Sequence, residues 1–463
     1  MSKHHVIIGG GPAATNAVET IRQMGDAGDR ITLVSDEPAH SRMALPYWLC
    51  GSIPREHTHT GDEDYFNRLN VDARIGARAT ALDTQNNTVS LDNGDTLDYD
   101  NVLIATGSSP LDPPIPGTDL PGVQPMWSLA HTQLALDTAD GMDQPRVALV
   151  GAGFIGFIVL NAMFKRGWKL SVVEREGQVL PRMLDAASAS FVESWLGSQN
   201  VDVHTGTTVT EIQAAGGGSK VVQLSDGSSI EADLVIIATG IRANVSLVDG
   251  SGIDVDQAIL VNNRMQSSVP NVYAAGDVAQ GPVLYSSQPE VHAIQPTAVD
   301  QGRVAGANMA GQDVTYPGSL LMNVVDVCGL QCASFGNWND ESAEAITISN
   351  PIENIYRKLL WTGDQITGAI FTGRPNDMGM LTDVGMVKGI LQTQTPLGAW
   401  KGYLSENPFD IKRAYIAAGV AQKLTGATLL GRPTRPRGYR FGNAQPVARV
   451  NDAHALFADT RPK

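Results

Sequence analysis

Through the first half of the chain, short β-branched runs alternate with stretches of helical spacing. His5–Ile8 (HVII) breaks into three glycines, then TNAVETIRQM carries apolar positions at helical intervals up to Gly25. Arg146–Val150 (RVALV) breaks into Gly151-Ala-Gly153, and FIVLNAMFKR continues in the same way to Gly167. Both segments predict strand, glycine loop and helix, with Gly25 and Gly167 closing the helices in the left-handed conformation that glycine accepts cheaply. A second strand follows each helix, Ile31–Val34 and Leu170–Val173, and an acid follows each strand: Asp36 and Glu37 in the first copy, Glu174 in the second. Each copy later reaches an apolar strand ending in Ala-Thr-Gly, at Ala105-Thr106-Gly107 and Ala238-Thr239-Gly240. The repeat reads as two mononucleotide-binding α/β units.

Asp112–Gly117 (DPPIPG) cannot be an element interior, and a domain boundary is placed there. From about Ser319 the pattern changes to strands: LLMNVVDV, CASFGNWN and IYRKLLWTGDQITGAIFTG, the last with a hairpin turn at Thr362–Gly363–Asp364. The final stretch is more helical and ends in a Pro/Arg-rich tail.

Composition narrows the function classes. With 33 Lys+Arg against 48 Asp+Glu, the formal charge of −15 argues against nucleic-acid binding. Three cysteines in 463 residues cannot form a disulfide framework, so a reducing, cytoplasmic location is expected. No apolar run reaches the ~20 residues of a membrane span, and the strand pattern begins too early for a signal peptide.

The loops have a physical logic. In Gly9-x-Gly11-x-x-Ala14, the first glycine makes the tight turn and the second lets a pyrophosphate approach. The third small residue lets helix and strand pack. The helix N-terminus offers free amides to phosphate, and the acid accepts hydrogen bonds from a ribose. Asp36 lies 27 residues after Gly9, and Glu174 lies 23 after Gly151. A carboxylate at Glu174 suits a free 2′-hydroxyl and repels a 2′-phosphate, so NADH is expected over NADPH, with Arg175 blunting the discrimination.

Gly9-x-Gly11-x-x-Ala14, the two Ala-Thr-Gly strands, Gly151-x-Gly153-x-x-Gly156 and Ala275-Gly276-Asp277 occur in order. With them the chain resembles the FAD-dependent pyridine nucleotide–disulfide oxidoreductase superfamily. It looks closest to the branch of NADH oxidases, nitrite reductase flavin domains and rubredoxin or ferredoxin reductases. The resemblance implies an α/β protein with two Rossmann-like three-layer domains and an α+β C-terminal interface domain that forms a homodimer. The FAD domain would be discontinuous (1–112 and 245–318), flanking an NAD domain (113–244), with the interface domain at 319–463. It implies that Gly9, Gly11, Pro12, Ala13 and Ala14 hold the FAD pyrophosphate, and Asp36 or Glu37 the adenosine ribose. Ala79, Ala105, Thr106 and Gly107 would lie near the adenosine, and Gly276 and Asp277 at the ribityl chain. The helix opening at Pro296–Thr297 would point at the flavin pyrimidine. Gly151, Gly153, Phe154, Ile155, Gly156, Glu174, Arg175, Thr239 and Gly240 would hold NADH.

The chain departs from disulfide reductases where their redox cysteine stands. In SRMALPYWLCG, Ser41–Gly51, that slot holds Met43. A thioether forms no thiolate, and Cys50 falls two helical turns further on. Ile158 replaces a glutamate that many relatives carry near the nicotinamide, which puts nicotinamide positioning in question. Arg42, the cation of this segment, is expected to contact FAD, so Arg42, Met43 and Tyr47 are the flavin-proximal candidates. His57 and His59 read as an exposed loop rather than a metal pair. Cys328 and Cys332 read as core packing on one face of a strand. Arg432, Arg435, Arg437 and Arg440 read as a carrier-docking segment or a solvated tail. The expected reaction is hydride transfer from NADH to FAD and on to an acceptor, probed first as a rubredoxin- or ferredoxin-like protein. A thiol or peroxide reductase using Cys50, and an NADH-sensing scaffold, are the alternatives.

Overall fold

The computed structural model describes residues 2–374 and 377–426; the arginines of the tail lie outside them. Strand His4–Ile8 pairs in parallel with Arg30–Ser35 on one side and Asn101–Ile104 on the other. Val71–Ile75 and Val272–Ala274 complete a five-stranded parallel sheet. The second unit repeats it, in the order Asp202–Thr205, Lys169–Glu174, Arg146–Val150, Leu234–Ile237, Val123–Pro125. Each unit also carries a three-stranded antiparallel meander, at 79–98 and 209–232. The chain crosses between the units on an antiparallel ribbon, Ser108–Pro110 against Ile241–Ala243, just before the proline-rich segment.

Buried β-branched and aliphatic residues on the inner parallel strands explain these sheets: both faces are covered there, so strands such as His4–Ile8, Arg146–Val150 and Leu234–Ile237 are apolar runs rather than alternations. The helices Pro12–Met24 and Phe154–Lys165 follow the glycine loops as expected. Gly167 is left-handed (φ 76°). Gly25 is not: its φ of −85° is ordinary, and what demands glycine is space, since a Cβ would lie 2.8 Å from the Ile21 carbonyl oxygen.

The C-terminal sheet is antiparallel, in the order Met322–Val327, Leu330–Gly336, Gln365–Gly373, Ile355–Thr362, Glu344–Asn350. The hairpin at Gly363–Asp364 forms, with Thr362 opposite Gln365. Cys328 is not on a strand with Cys332. Val327 pairs Leu330, so Cys328 and Gly329 make a two-residue turn with φ of 51° and 99°, the positive pair such hairpins use. Cys328 and Cys332 are buried in a core shared between this sheet and the second unit's helices, and burial pushes both thiols up to about 12. No helix among the described residues is long and apolar enough to cross a membrane.

Candidate functional site: a cleft between two glycine loops

One cleft of about 2000 Å³ runs from the first glycine loop to the second. Single-ligand pockets span roughly 300–1000 Å³, so this one has room for two dinucleotides. At each end the loop is built for phosphate. A Cβ on Gly9 (φ 124°) would sit 2.2 Å from the Ala105 carbonyl oxygen, and one on Gly151 (φ 103°) 2.4 Å from that of Ala238. Gly11 and Gly153 face open space instead. Both are N-caps without a side-chain hydrogen bond, leaving the first-turn amides of each helix free for an anion. The residues present therefore fit FAD at one end and a nicotinamide dinucleotide at the other.

Most expected residues line the cleft. In the first half these are Gly9, Gly11, Pro12, Ala13, Asp36, Glu37, Arg42, Met43, Ala79, Ala105, Thr106, Gly107, Gly276, Asp277 and Pro296. In the second they are Gly151, Gly153, Phe154, Ile155, Ile158, Glu174, Arg175, Thr239 and Gly240. Ala14 and Gly156 lie behind their loops as packing residues; a Cβ on Gly156 would meet the Gly151 oxygen at 2.5 Å. Two further expected residues do not line the cleft. Thr297 is 4% exposed and does not line the cleft. The helix Gln295–Met309 turns its third residue inward and presents Gln295 and Pro296, with Gln295 accepting from the Ser41 hydroxyl at 2.9 Å. Tyr47 is 56% exposed and lies outside the cleft wall.

The two acids are held differently. Asp36 is 48% exposed and paired with Arg78 at 2.6 Å. Glu174 is 9% exposed. Its Oε2 accepts from the Ala152 amide at 2.7 Å and its Oε1 from the Glu176 amide at 2.9 Å. Each oxygen keeps a lone pair for a ribose diol.

Around Arg42 the contacts form a closed circuit. Arg42 Nη1 lies 3.6 Å from Asp277 Oδ2, which accepts from Ser108 Oγ at 2.6 Å. The Ser108 carbonyl accepts from Trp127 Nε1 at 2.8 Å, and the Trp127 ring lies 4.6 Å from the Arg42 guanidinium carbon. Burial pulls the Arg42 guanidinium below its usual value, opposed by Asp277, Glu37 and Asp36. Sequence reasoning missed Trp127, Ser108, Arg78 and Gln295. Ser108, Arg78 and Gln295 each stand next to an expected site residue, whereas Trp127 carried no signal.

The thiol slot holds Met43, 43% exposed and in the cleft wall. Cys50 caps the short helix Leu45–Leu49, with Sγ 3.0 Å from Ser52 Oγ, and does not line the cleft. Ile158 lines the cleft and packs against the second unit's core. His57 and His59 sit exposed around a short turn, and no metal-ligating cluster of three occurs among the described residues.

The sequence pattern of the family described as pyridine nucleotide-disulphide oxidoreductase matches residues 3–302. The chain is 30% identical over 419 residues to the NADH-dependent phenylglyoxylate dehydrogenase subunit epsilon of Aromatoleum evansii, covering 89% of this chain and 97% of that one. It is 27% identical to the ferredoxin–NAD(+) reductase subunit of the benzene 1,2-dioxygenase system of Pseudomonas putida, covering 81% and 88%. Of the nitrite reductase [NAD(P)H] of Bacillus subtilis (strain 168), 30% identical over 377 residues (80% of this chain), it spans about half, 46%. The fold is that of the reductase in the putidaredoxin reductase–putidaredoxin complex, with a TM-score of 0.80, 23% identity, and coverage of 90% and 99%. Two glycine loops facing one cleft, on a chain that matches over most of its length, make this protein a member of the pyridine nucleotide-disulphide oxidoreductase family and an FAD-dependent NAD(P)H oxidoreductase.

Proposed function

We propose that the chain takes hydride from NADH onto FAD and delivers the electrons to a small electron-carrier protein of the rubredoxin or ferredoxin kind. The observation that carries this reading is the thiol-free flavin end of the cleft, where Met43 fills the cysteine slot and Cys50 lies outside. FAD supplies the hydride and electron chemistry when bound; the chain supplies placement. Arg42, beside Asp277, offers a fixed cation, and the uncapped end of Gln295–Met309 offers amides to developing negative charge. Glu174, oriented by two amides, favours the ribose diol of NADH over a 2′-phosphate. The similar ferredoxin–NAD(+) reductase subunit supports the choice of acceptor.

A homodimer through the C-terminal domain belongs to the same proposal, supported by the exposed Ile352, Met378, Phe409 and Ile416 there. Three unpaired cysteines support the cytoplasm. The test is NADH-driven reduction of purified rubredoxin and ferredoxin. A rate above that given by equal free FAD supports the reading; no carrier reduced faster than by free flavin overturns it. A thiol reductase using Cys50 would instead lose turnover in Cys50→Ser.

A further inference from the structure

We infer that Trp127, which belongs to the second nucleotide unit, is a positioning residue for Arg42 at the flavin end of the first. This rests on the reading above that Arg42 meets FAD. Trp127 follows strand Val123–Pro125 of the second sheet, yet its ring covers the Arg42 guanidinium. Asp277 holds that guanidinium from another side. The indole is itself fixed, because its N–H donates to the Ser108 carbonyl while the Ser108 hydroxyl donates to Asp277. Removing the ring opens the circuit and leaves Arg42 a flexible side chain with one partner.

A second grip shows that the contact is not isolated. Arg166, at the end of the second unit's helix Phe154–Lys165, donates its Nε–H to the Leu49 carbonyl. Leu45 and Trp48 pack with Leu129 and Leu136 of helix Leu129–Ala139. The second unit therefore holds the segment 42–49 from both ends. Its Trp127 contact falls on the one residue of that segment whose charge faces the cleft.

The test is a double-mutant cycle read by FAD affinity of the apoprotein and by the midpoint potential of the bound flavin. A cation–aromatic contact is worth about 0.5–2 kcal/mol, so Trp127→Leu should weaken FAD by about threefold to thirtyfold. It should also lower the potential, because a less fixed cation stabilises reduced flavin less. Trp127→Phe, which keeps a ring face, should recover most of both. In an Arg42→Gln background, Trp127→Leu should change neither further. The same loss in both backgrounds, or a loss of thermal stability without change of potential, would show a packing role only and overturn the inference. Wild-type protein that binds no FAD would overturn the functional reading itself; wild-type protein that binds FAD with no Trp127–Arg42 coupling overturns only this step.

Discussion

In the first unit the last residue of the strand beside the glycine loop is Ser35; in the second it is Glu174. The hydrogen bonds establish the equivalence. The Gly9 amide donates to the Val34 carbonyl at 2.7 Å and the Gly151 amide to that of Val173 at 2.8 Å. The acids that look alike in sequence are therefore one position out of step. Glu174 occupies the place where Ser35 packs against the backbone of Gly10, and it braces the loop through Ala152. Asp36 stands one residue further out, in the cleft, neutralised by Arg78. One strand–loop–helix plan thus holds a cleft carboxylate in two ways: in a surface ion pair, and as a nearly buried acid oriented by amides. The second is the more rigid, because charge-assisted bonds from backbone amides are the strong kind.

The sharpest way to separate the units is through their first glycines. Gly9→Val and Gly151→Val each force a side chain onto a carbonyl at a positive φ. Strain and overlap together cost about 3 kcal/mol or more, about 100-fold in affinity. Gly9→Val should purify without flavin, whereas Gly151→Val should purify yellow and resist reduction by NADH. Absorbance at the flavin bands reads both.

Next are the acids. Glu174→Ala leaves two amides without an acceptor and should cost about 1–3 kcal/mol of stability in chemical denaturation. It should also narrow the preference for NADH over NADPH in binding titrations. Asp36→Ala removes an exposed pair and should cost at most about 1 kcal/mol while weakening FAD.

Acidification should strike the first unit's side of the molecule. Burial lowers the imidazoles of His5, His40 and His292, opposed by Asp29, by the Pro38 carbonyl and Glu37, and by Glu290. Their folded values lie below the unfolded ~6.5, so their contribution is complete above that pH. It is lost as pH falls through the folded values. The melting temperature should stay level above about pH 7 and decline below about 6.5. Hydrogen exchange should quicken first around His4–Ile8. The smallest effect is Cys50→Ser, a substitution outside the cleft, which should leave NADH oxidation within about twofold.

Much of this was legible in the chain. The glycine loops carry backbone requirements that few residues meet, so their spacing located them, and the Ala-Thr-Gly strands showed as a repeat; Asp277 was reached only through the family resemblance. The register of the acids was not legible, because one extra residue after a strand is invisible until the ladder is seen. Trp127 and Arg78 reach the site across elements far apart in sequence. Which first-turn residues of Gln295–Met309 line the cleft was not legible either, because helix phase decides it. Strand Glu344–Asn350, at the sheet edge, has only Ile346 and Ile348 half-buried, an alternation too short to mark it as a strand.

The most direct measurement is an anaerobic titration of the holoprotein with NADH, following flavin absorbance in a stopped-flow instrument with NADPH as control. Two sites on one cleft, with no thiol between them, require bleaching to be complete at one NADH per flavin. Bleaching should be faster with NADH than with NADPH and unchanged in Cys50→Ser. A second NADH consumed per chain, or bleaching slower than steady-state turnover, would contradict direct transfer between the two units.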